Sequence, residues 1–330
     1  MNVHWSKERQ VAIDAVRAAA RVCTDVQGHL IDAQTIEKKD RSPVTVADFA
    51  SQAVVCGILG AALPHDAIIG EEQADVLRQD GQDAVRLAVV EHAGAGLNRT
   101  DLMETEVLDL IDRGAKSEAH GSRYWTLDPI DGTKGFLRQE QYAVALALLE
   151  DNEVVLGVLG CPNLSLGGMP EGALMVAVKG QGTKLMPLGG LGQDRTVAVS
   201  SLGGPSEARF CESVESAHSS HGTAAQIAEI LGITRQPIRM DSQAKYASVA
   251  HGDSQIYMRL PTRADYRECI WDHAAGALVV VEAGGCVTDI RGRSLDFSKG
   301  RRLESNEGVV ASNGSLHEAV IDAIGQTIDS

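Results

Sequence analysis

Aromatic side chains are scarce in this chain of 330 residues: Phe, Trp and Tyr make up only 4% of it. Aliphatic residues, mostly Ala, Val and Leu, must therefore fill the interior. No apolar run approaches the roughly 20 residues that a membrane helix needs. The segment Met1 to Arg9 also lacks the apolar stretch of a secretory signal. Basic charge is short as well, with 30 Lys and Arg against 45 Asp and Glu and a formal net charge of −15. That balance argues against nonspecific binding to nucleic acid polymers or anionic membranes, both of which rely on basic surfaces. The six cysteines contain no CxxC pair, so neither a zinc site nor a disulfide frame is expected. They read as reduced core residues of a cytoplasmic protein.

The remaining composition is that of an ordinary soluble protein, 44% hydrophobic and 23% charged. Its length suits one large or two medium domains. Helical spacing predicts a helix over 6–27 with Ser6 as N-cap, and a second from a Thr45 cap to about Leu63, ended by Pro64. A short strand at 35–39 and a turn at 40–43 lie between them. Ala67–Gly70 reads as a buried strand, followed by helices near 73–92 and 101–113 that the Gly-rich segment 93–97 separates. Tyr142–Leu149 is almost continuously apolar, which predicts a strand buried on both faces. Its hairpin partner is expected at 154–159, and a further pair at 173–178 and 183–186. Glycines at 189–193 mark a seam, after which Thr196–Ser200 starts a second alternation with helices near 222–231, 272–283 and 315–327. The pattern predicts an α/β (α+β) fold in two unequal parts, 1–194 and 195–330.

Four acidic clusters fall at strand ends or helix starts: Asp48, Glu71-Glu72, Asp128 with Asp131, and Asp272. Each also has a purely structural account. Asp48 fits a capping box with Thr45, Asp272 fits an N-cap, and Glu71-Glu72 fits a solvated loop. Asp128-Pro-Ile-Asp-Gly-Thr133 fits a plain turn, yet it departs most from that account. Pro129 fixes the backbone so that both carboxylates and the Ile130 carbonyl can converge, and Thr133 adds a hydroxyl beside them. Mg²⁺ favours oxygen ligands of this kind, and two such ions can drive displacement at phosphorus.

Leu127-Asp-Pro-Ile-Asp-Gly-Thr-Lys-Gly-Phe136, Ile69-Gly-Glu-Glu72 and Trp271-Asp-His-Ala-Ala-Gly276 resemble the signatures of the lithium-sensitive, Mg²⁺-dependent phosphatase superfamily. That superfamily includes inositol monophosphatase and fructose-1,6-bisphosphatase. Ser42–Asp48, Glu215–His221 and Asp241–Tyr246 resemble motifs of its 3′(2′),5′-bisphosphate nucleotidase branch. The resemblance implies a layered α-β-α-β-α sugar-phosphatase-like fold binding two to three Mg²⁺ ions. By similarity, Glu71, Asp128 and the Ile130 carbonyl would hold one ion, and Asp128, Asp131 and Asp272 another. Asp48 with Thr133 would activate the attacking water, and Asp48 would also touch a third, weaker ion. Residues 1–194 would then carry most of the metal site, and 195–330 the nucleotide pocket and the last metal ligand.

The same resemblance places Thr133, His218, Ser242, Lys245, Arg259 and Asp272 around the substrate, a small bisphosphorylated nucleotide. Lys245 and Arg259 would grip the 5′-phosphate, and His218 would lie against the adenosine. Singly, each His, Lys or Arg is more often structural or a solvated charge. An acidic chain that holds such a ligand nevertheless needs a local cationic pocket. The implied reaction is hydrolysis of the 3′-phosphate of adenosine 3′,5′-bisphosphate, with the related phosphosulfate as a second substrate. The alternatives are an inositol-phosphate phosphatase with the same metal core, or a catalytically silent metal- or nucleotide-binding protein. Lys134-Gly135 lacks the spacing of a P-loop. The loop around Pro43 is expected to close over the metals.

Overall fold

In the segment Ala143–Glu150, AVALALLE, residues 143–148 sort their side chains by size onto two faces. Val144, Leu146 and Leu148 enter one apolar core, whereas Ala143, Ala145 and Ala147 enter another. Because alternate residues point to opposite faces of a strand, large side chains meet one helical layer and the alanines admit a second at close range.

This computed structural model describes residues 4–29, 35–37, 43–115, 122–169, 172–214, 221–261, 263 and 265–328. Its helices are α1 (Ser6–Gly28), α2 (Val46–Ala62), α3 (Asp83–Leu97), α4 (Glu104–Ala115), α5 (Thr133–Leu137), α6 (His221–Ile230), α7 (Ala244–His251), α8 (Ala274–Glu282) and α9 (His317–Ile328). Two short strands, β1 (Thr35–Glu37) and β2 (Pro43–Thr45), pair as a ribbon. Seven strands then follow one another across a large sheet: β3 (Ala67–Gly70), β4 (Arg123–Asp131), β5 (Ala143–Glu150), β6 (Glu153–Cys161), β7 (Ala173–Val178), β8 (Gly182–Pro187) and β9 (Arg195–Val197). A smaller sheet holds β10 (Phe210–Glu212), β11 (Ile238–Arg239), β12 (Ile256–Arg259), β13 (Cys286–Thr288) and β14 (Val309–Ser312) in the order β11-β10-β12-β14-β13.

Helices α1 and α2 cover one face of the large sheet, while α8 covers the other and, with α7, reaches the small sheet. Helices α6 and α9 close the outer face of the small sheet with a third apolar cluster. The result is the expected α-β-α-β-α layering. No described helix is long and apolar enough to cross a membrane.

Several local expectations change. Trp5, not Ser6, occupies the cap position of α1, in a left-handed backbone without a side-chain bond. The helix expected from 73 starts only at Asp83, and α7 falls in a stretch read as a motif without a helix. Pro43 opens β2, and residues 38–42 of the proposed closing loop lie outside the described residues. β9 pairs with β8, so the segment from Thr196 completes the large sheet before the second alternation begins.

The glycines at 93–97 do not break a helix; they form the last turns of α3. A Cβ on Gly96 would lie 2.6 Å from Val54 Cγ2 and 2.8 Å from Val22 Cγ2, both β-branched side chains with little freedom to move. Glycine costs helix propensity here but lets α3 sit against α1 and α2. Gly96→Ala is therefore expected to destabilise the chain by about 1–3 kcal/mol despite alanine's better propensity. A urea midpoint that rises in the variant would contradict this close packing.

Candidate active site

The acidic turn is built by an irregularity in β4. Asp128 pairs opposite Ala145 and Asp131 opposite Ala143, so the β4 segment bulges at Pro129-Ile130. A proline fits a bulge because it has no N–H to give the ladder, and a bulge re-aims the residues beside it. Ser51 Oγ fixes the bulge by donating to the Pro129 carbonyl at 2.9 Å. Gly132 follows at φ 86°, where a Cβ would also lie 3.0 Å from Ser242 Cβ. The chain then enters α5, with Thr133 Oγ1 3.3 Å from the Ile130 carbonyl and 3.4 Å from Asp48 Oδ1.

Asp48 holds two positions at once. Its Oδ2 accepts from the Thr45 N–H and Oγ1, each at 2.7 Å, which completes the capping box on α2. Its Oδ1 is the oxygen facing Thr133. The capping and the chemical readings of Asp48 are therefore compatible, one oxygen for each. Glu71 follows β3 and donates its N–H to Leu127 at 3.2 Å, beside Asp128 in sequence. Asp272 ends a 3₁₀ turn, Ile270–Asp272, and His273 occupies the cap position of α8, its side chain making no capping bond. Asp272 is thus not an N-cap, and its carboxylate lines the cleft instead.

These acids disturb one another. Asp128 is 2% exposed, and its Oδ1 is buried with no hydrogen-bond partner among the described residues. Burial pushes its carboxyl well above the usual range, and Glu71, Asp131, Asp272 and Asp48 push it further. Asp131 is raised by burial, against the pull of Lys245 and Arg259. Asp272 is raised well above the carboxylate range by burial, with Arg259 opposing and Asp131 adding to the rise. An orphaned carboxylate oxygen among like charges is costly, and the all-oxygen donor set suits a hard divalent cation. The residues present fit such ions. A tighter group, Glu268, Asp272 and His273, brings three donor atoms within 4.8 Å of one another. It is already served by Arg259, whose Nε lies 2.8 Å from Glu268 Oε2 and whose Nη2 lies 3.6 Å from Asp272 Oδ2.

The raised acids imply a pH effect in metal-free protein. A group whose folded pKa lies above its unfolded value stabilises the fold at low pH and loses that contribution as pH rises through the folded value. With a chelator present, the contribution from Asp128, Asp131 and Asp272 should fall as pH climbs above the unfolded carboxylate range of about 4. Denaturant unfolding in EDTA across that range, repeated with excess Mg²⁺, checks this. The decline should be marked only in EDTA.

Basic groups line the same cleft. A cleft of about 430 Å³ brings Glu71, Asp128, Asp131 and Asp272 together with Lys245 and Arg259. Lys245 is only 3% exposed; its Nζ makes one long bond to the Met240 carbonyl, 3.4 Å, and lies 5.2 Å from the Tyr257 ring centroid. Burial lowers its pKa, with Asp131 the main counterweight. Burial alone would raise Glu268, but Arg259 and His273 outweigh it and hold the carboxyl down to about 2. Ser242 adopts φ 68° and accepts from the Ala244 N–H at 3.1 Å. His218 lies outside the described residues. The contacts of two residues here carry no local sequence signal. Gln243 contacts Asp131 and the backbone of Trp271, and Glu268 orients Arg259.

The layered fold is shared with solved inositol monophosphatases. The Thermotoga maritima enzyme aligns with a TM-score of 0.66 at 20% identity over 96% of each chain. The extragenic suppressor protein SuhB of Bartonella henselae aligns at 0.66 and 21% over 97% of this chain and 98% of that one. The profile of the Inositol monophosphatase family matches residues 4–329, and the chain belongs to that family, which is generally metal-dependent. Among its relatives, the 3′(2′),5′-bisphosphate nucleotidase of Dictyostelium discoideum is 45% identical over 98% of both chains. The protein of that name from Schizosaccharomyces pombe is 43% identical over 97% of this chain and 95% of the relative. The 3′,5′-bisphosphate nucleotidase 2 of Arabidopsis thaliana is 41% identical over 98% of both.

Proposed function

We propose that this chain is a Mg²⁺-dependent phosphomonoesterase that hydrolyses adenosine 3′,5′-bisphosphate to AMP and phosphate, and the corresponding phosphosulfate likewise. The observation that carries this reading is one cleft lined by two unlike sets of groups, crowded carboxylates together with buried Lys245 and half-buried Arg259. A single phosphate needs only the first set. A second phosphate, held but not cleaved, explains the other. The relatives named as bisphosphate nucleotidases support the same substrate class.

In this reading Glu71, Asp128 and the Ile130 carbonyl hold one ion, Asp128, Asp131 and Asp272 a second, and Asp48 touches a weaker third. When bound, such ions stabilise charge on phosphoryl oxygens and make water a better nucleophile. Thr133 Oγ1 is too weak a base alone, so it passes the proton to Asp48 Oδ1, 3.4 Å away. Water forms the new P–O bond as the bond to the ribose 3′ oxygen breaks, and that oxygen takes up a proton from solvent, balancing the one passed to Asp48. Lys245 supplies a point charge and Arg259, oriented by Glu268, a fork of donors for the 5′-phosphate. Ser242 and His218 complete the nucleotide contacts. Six free cysteines, four of them buried, suit a reducing cytoplasmic setting.

Side-by-side turnover decides the substrate. Adenosine 3′,5′-bisphosphate is expected to outpace inositol monophosphate in kcat/KM by at least about a hundredfold, since each charged contact to the second phosphate contributes roughly 1.5–3 kcal/mol. Preference for the inositol ester would replace this reading with that of an inositol-phosphate phosphatase.

A further inference from the structure

Two buried glutamines brace the acidic cluster, and they divide it between them. Gln52, on α2, accepts the Glu72 N–H at 3.0 Å through Oε1. Its Nε2 donates to the carbonyls of Glu72 at 2.7 Å and Ile111 at 2.8 Å. A Cβ on Gly70 would stand 2.5 Å from Gln52 Oε1, and one on Gly114 would stand 3.0 Å from Nε2, so two glycines leave room for this amide. The backbone beside Glu71 is thereby tied to α2 and α4.

Gln243 makes the matching link on the other side. Its N–H donates to Asp131 Oδ2 at 2.6 Å. Its side chain donates to the Trp271 carbonyl at 2.8 Å and accepts from the Gly276 N–H at 3.0 Å. One residue therefore joins the end of β4 to the backbone on both sides of Asp272.

The acids of this cluster repel one another, which adds to the effect of burial on Asp128 and Asp272. A brace inside such a cluster must satisfy backbone donors and acceptors without adding charge. A carboxamide does both. We infer that Gln52 and Gln243 are positioning residues that preorganise the acids separately for two ions. Through their side-chain amides, Gln52 sets Glu71 for the first ion, and Gln243 sets Asp272 for the second. This inference rests on the ligand assignment proposed above.

Calorimetric titration of Mg²⁺ into the full chain, without substrate, tests it. Glu71→Gln and Asp272→Asn identify the binding step that depends on each acid. Gln52→Met and Gln243→Met keep the volume, remove the amide bonds and add no charge. Gln243→Met should weaken the Asp272-dependent step by about ten- to a hundredfold and leave the Glu71-dependent step within roughly threefold. Gln52→Met should do the reverse. If Gln243→Met does not fold, Gln243→Asn carries the same expectation, because its amide is one methylene too short to span both backbone partners. Equal losses at both steps, or none in folded variants, would overturn the inference while leaving the ligand assignment in place. A wild-type chain that takes up no Mg²⁺ would overturn both.

Discussion

Asp131→Asn is expected to lower kcat by about a thousandfold without weakening the fold, since losing several kcal/mol of charge stabilisation corresponds to that factor. Asp131 lies where β4 ends, and its Oδ2 accepts the Gln243 N–H at 2.6 Å. Asparagine keeps the shape and can still accept that bond through its carbonyl oxygen. What it removes is one negative charge from a group of acids in which burial raises Asp128 and Asp272 and the charge of Asp131 adds to that rise. In EDTA the variant should therefore melt at the same temperature as wild type or higher. The rise in melting temperature that Mg²⁺ gives the wild type should shrink. Steady-state kinetics and melting curves with and without Mg²⁺ measure both halves. Turnover within about tenfold of wild type would remove Asp131 from the reaction.

Lys245→Ala should act on a different quantity. The KM for adenosine 3′,5′-bisphosphate is expected to rise about ten- to a hundredfold, the effect of losing one charge-assisted contact of roughly 1.5–3 kcal/mol. Hydrolysis of a small phosphate ester should change little. Lys245 is a buried ammonium with three donors and, among the described residues, a single long bond at 3.4 Å, which leaves donors for an anion. Its neighbour Asp131 offers another role, as charge balance for the metal side. The two substrates separate these roles. If Lys245 served only to support Asp131, turnover of the small ester would fall as much as that of the nucleotide.

Local chemistry made part of this site legible in the sequence. Asp128, Asp131 and Thr133 fall within six residues around a proline and a glycine, and the β4 bulge follows from those two residue types. The cap role of Asp48 was legible, and its second oxygen faces Thr133 rather than the cap, as the proposed role requires. The apolar run at 142–149 declared a strand covered on both faces, which β5 is. The contacts of Gln243, which lies within the Asp241–Tyr246 motif, and of Glu268 were not legible. Their partners stand at Asp131 and Arg259, at distances along the chain that no local spacing reports. The glycines of α3 misled for a related reason. Glycine signals a break when only the helix is considered, whereas Gly96 answers to Val22 and Val54 on neighbouring helices. The seam at 189–193 was read from turn-forming glycines, and the β8–β9 hydrogen bonds carry the large sheet past it.

Phosphate release from adenosine 3′,5′-bisphosphate, followed with Mg²⁺ and then with EDTA, is the most direct measurement of the account. The expected result is rapid release with Mg²⁺, AMP retaining its 5′-phosphate as the nucleotide product, and loss of release in EDTA that Mg²⁺ restores. Release that persists undiminished in EDTA, or a product that keeps the 3′-phosphate, would contradict it.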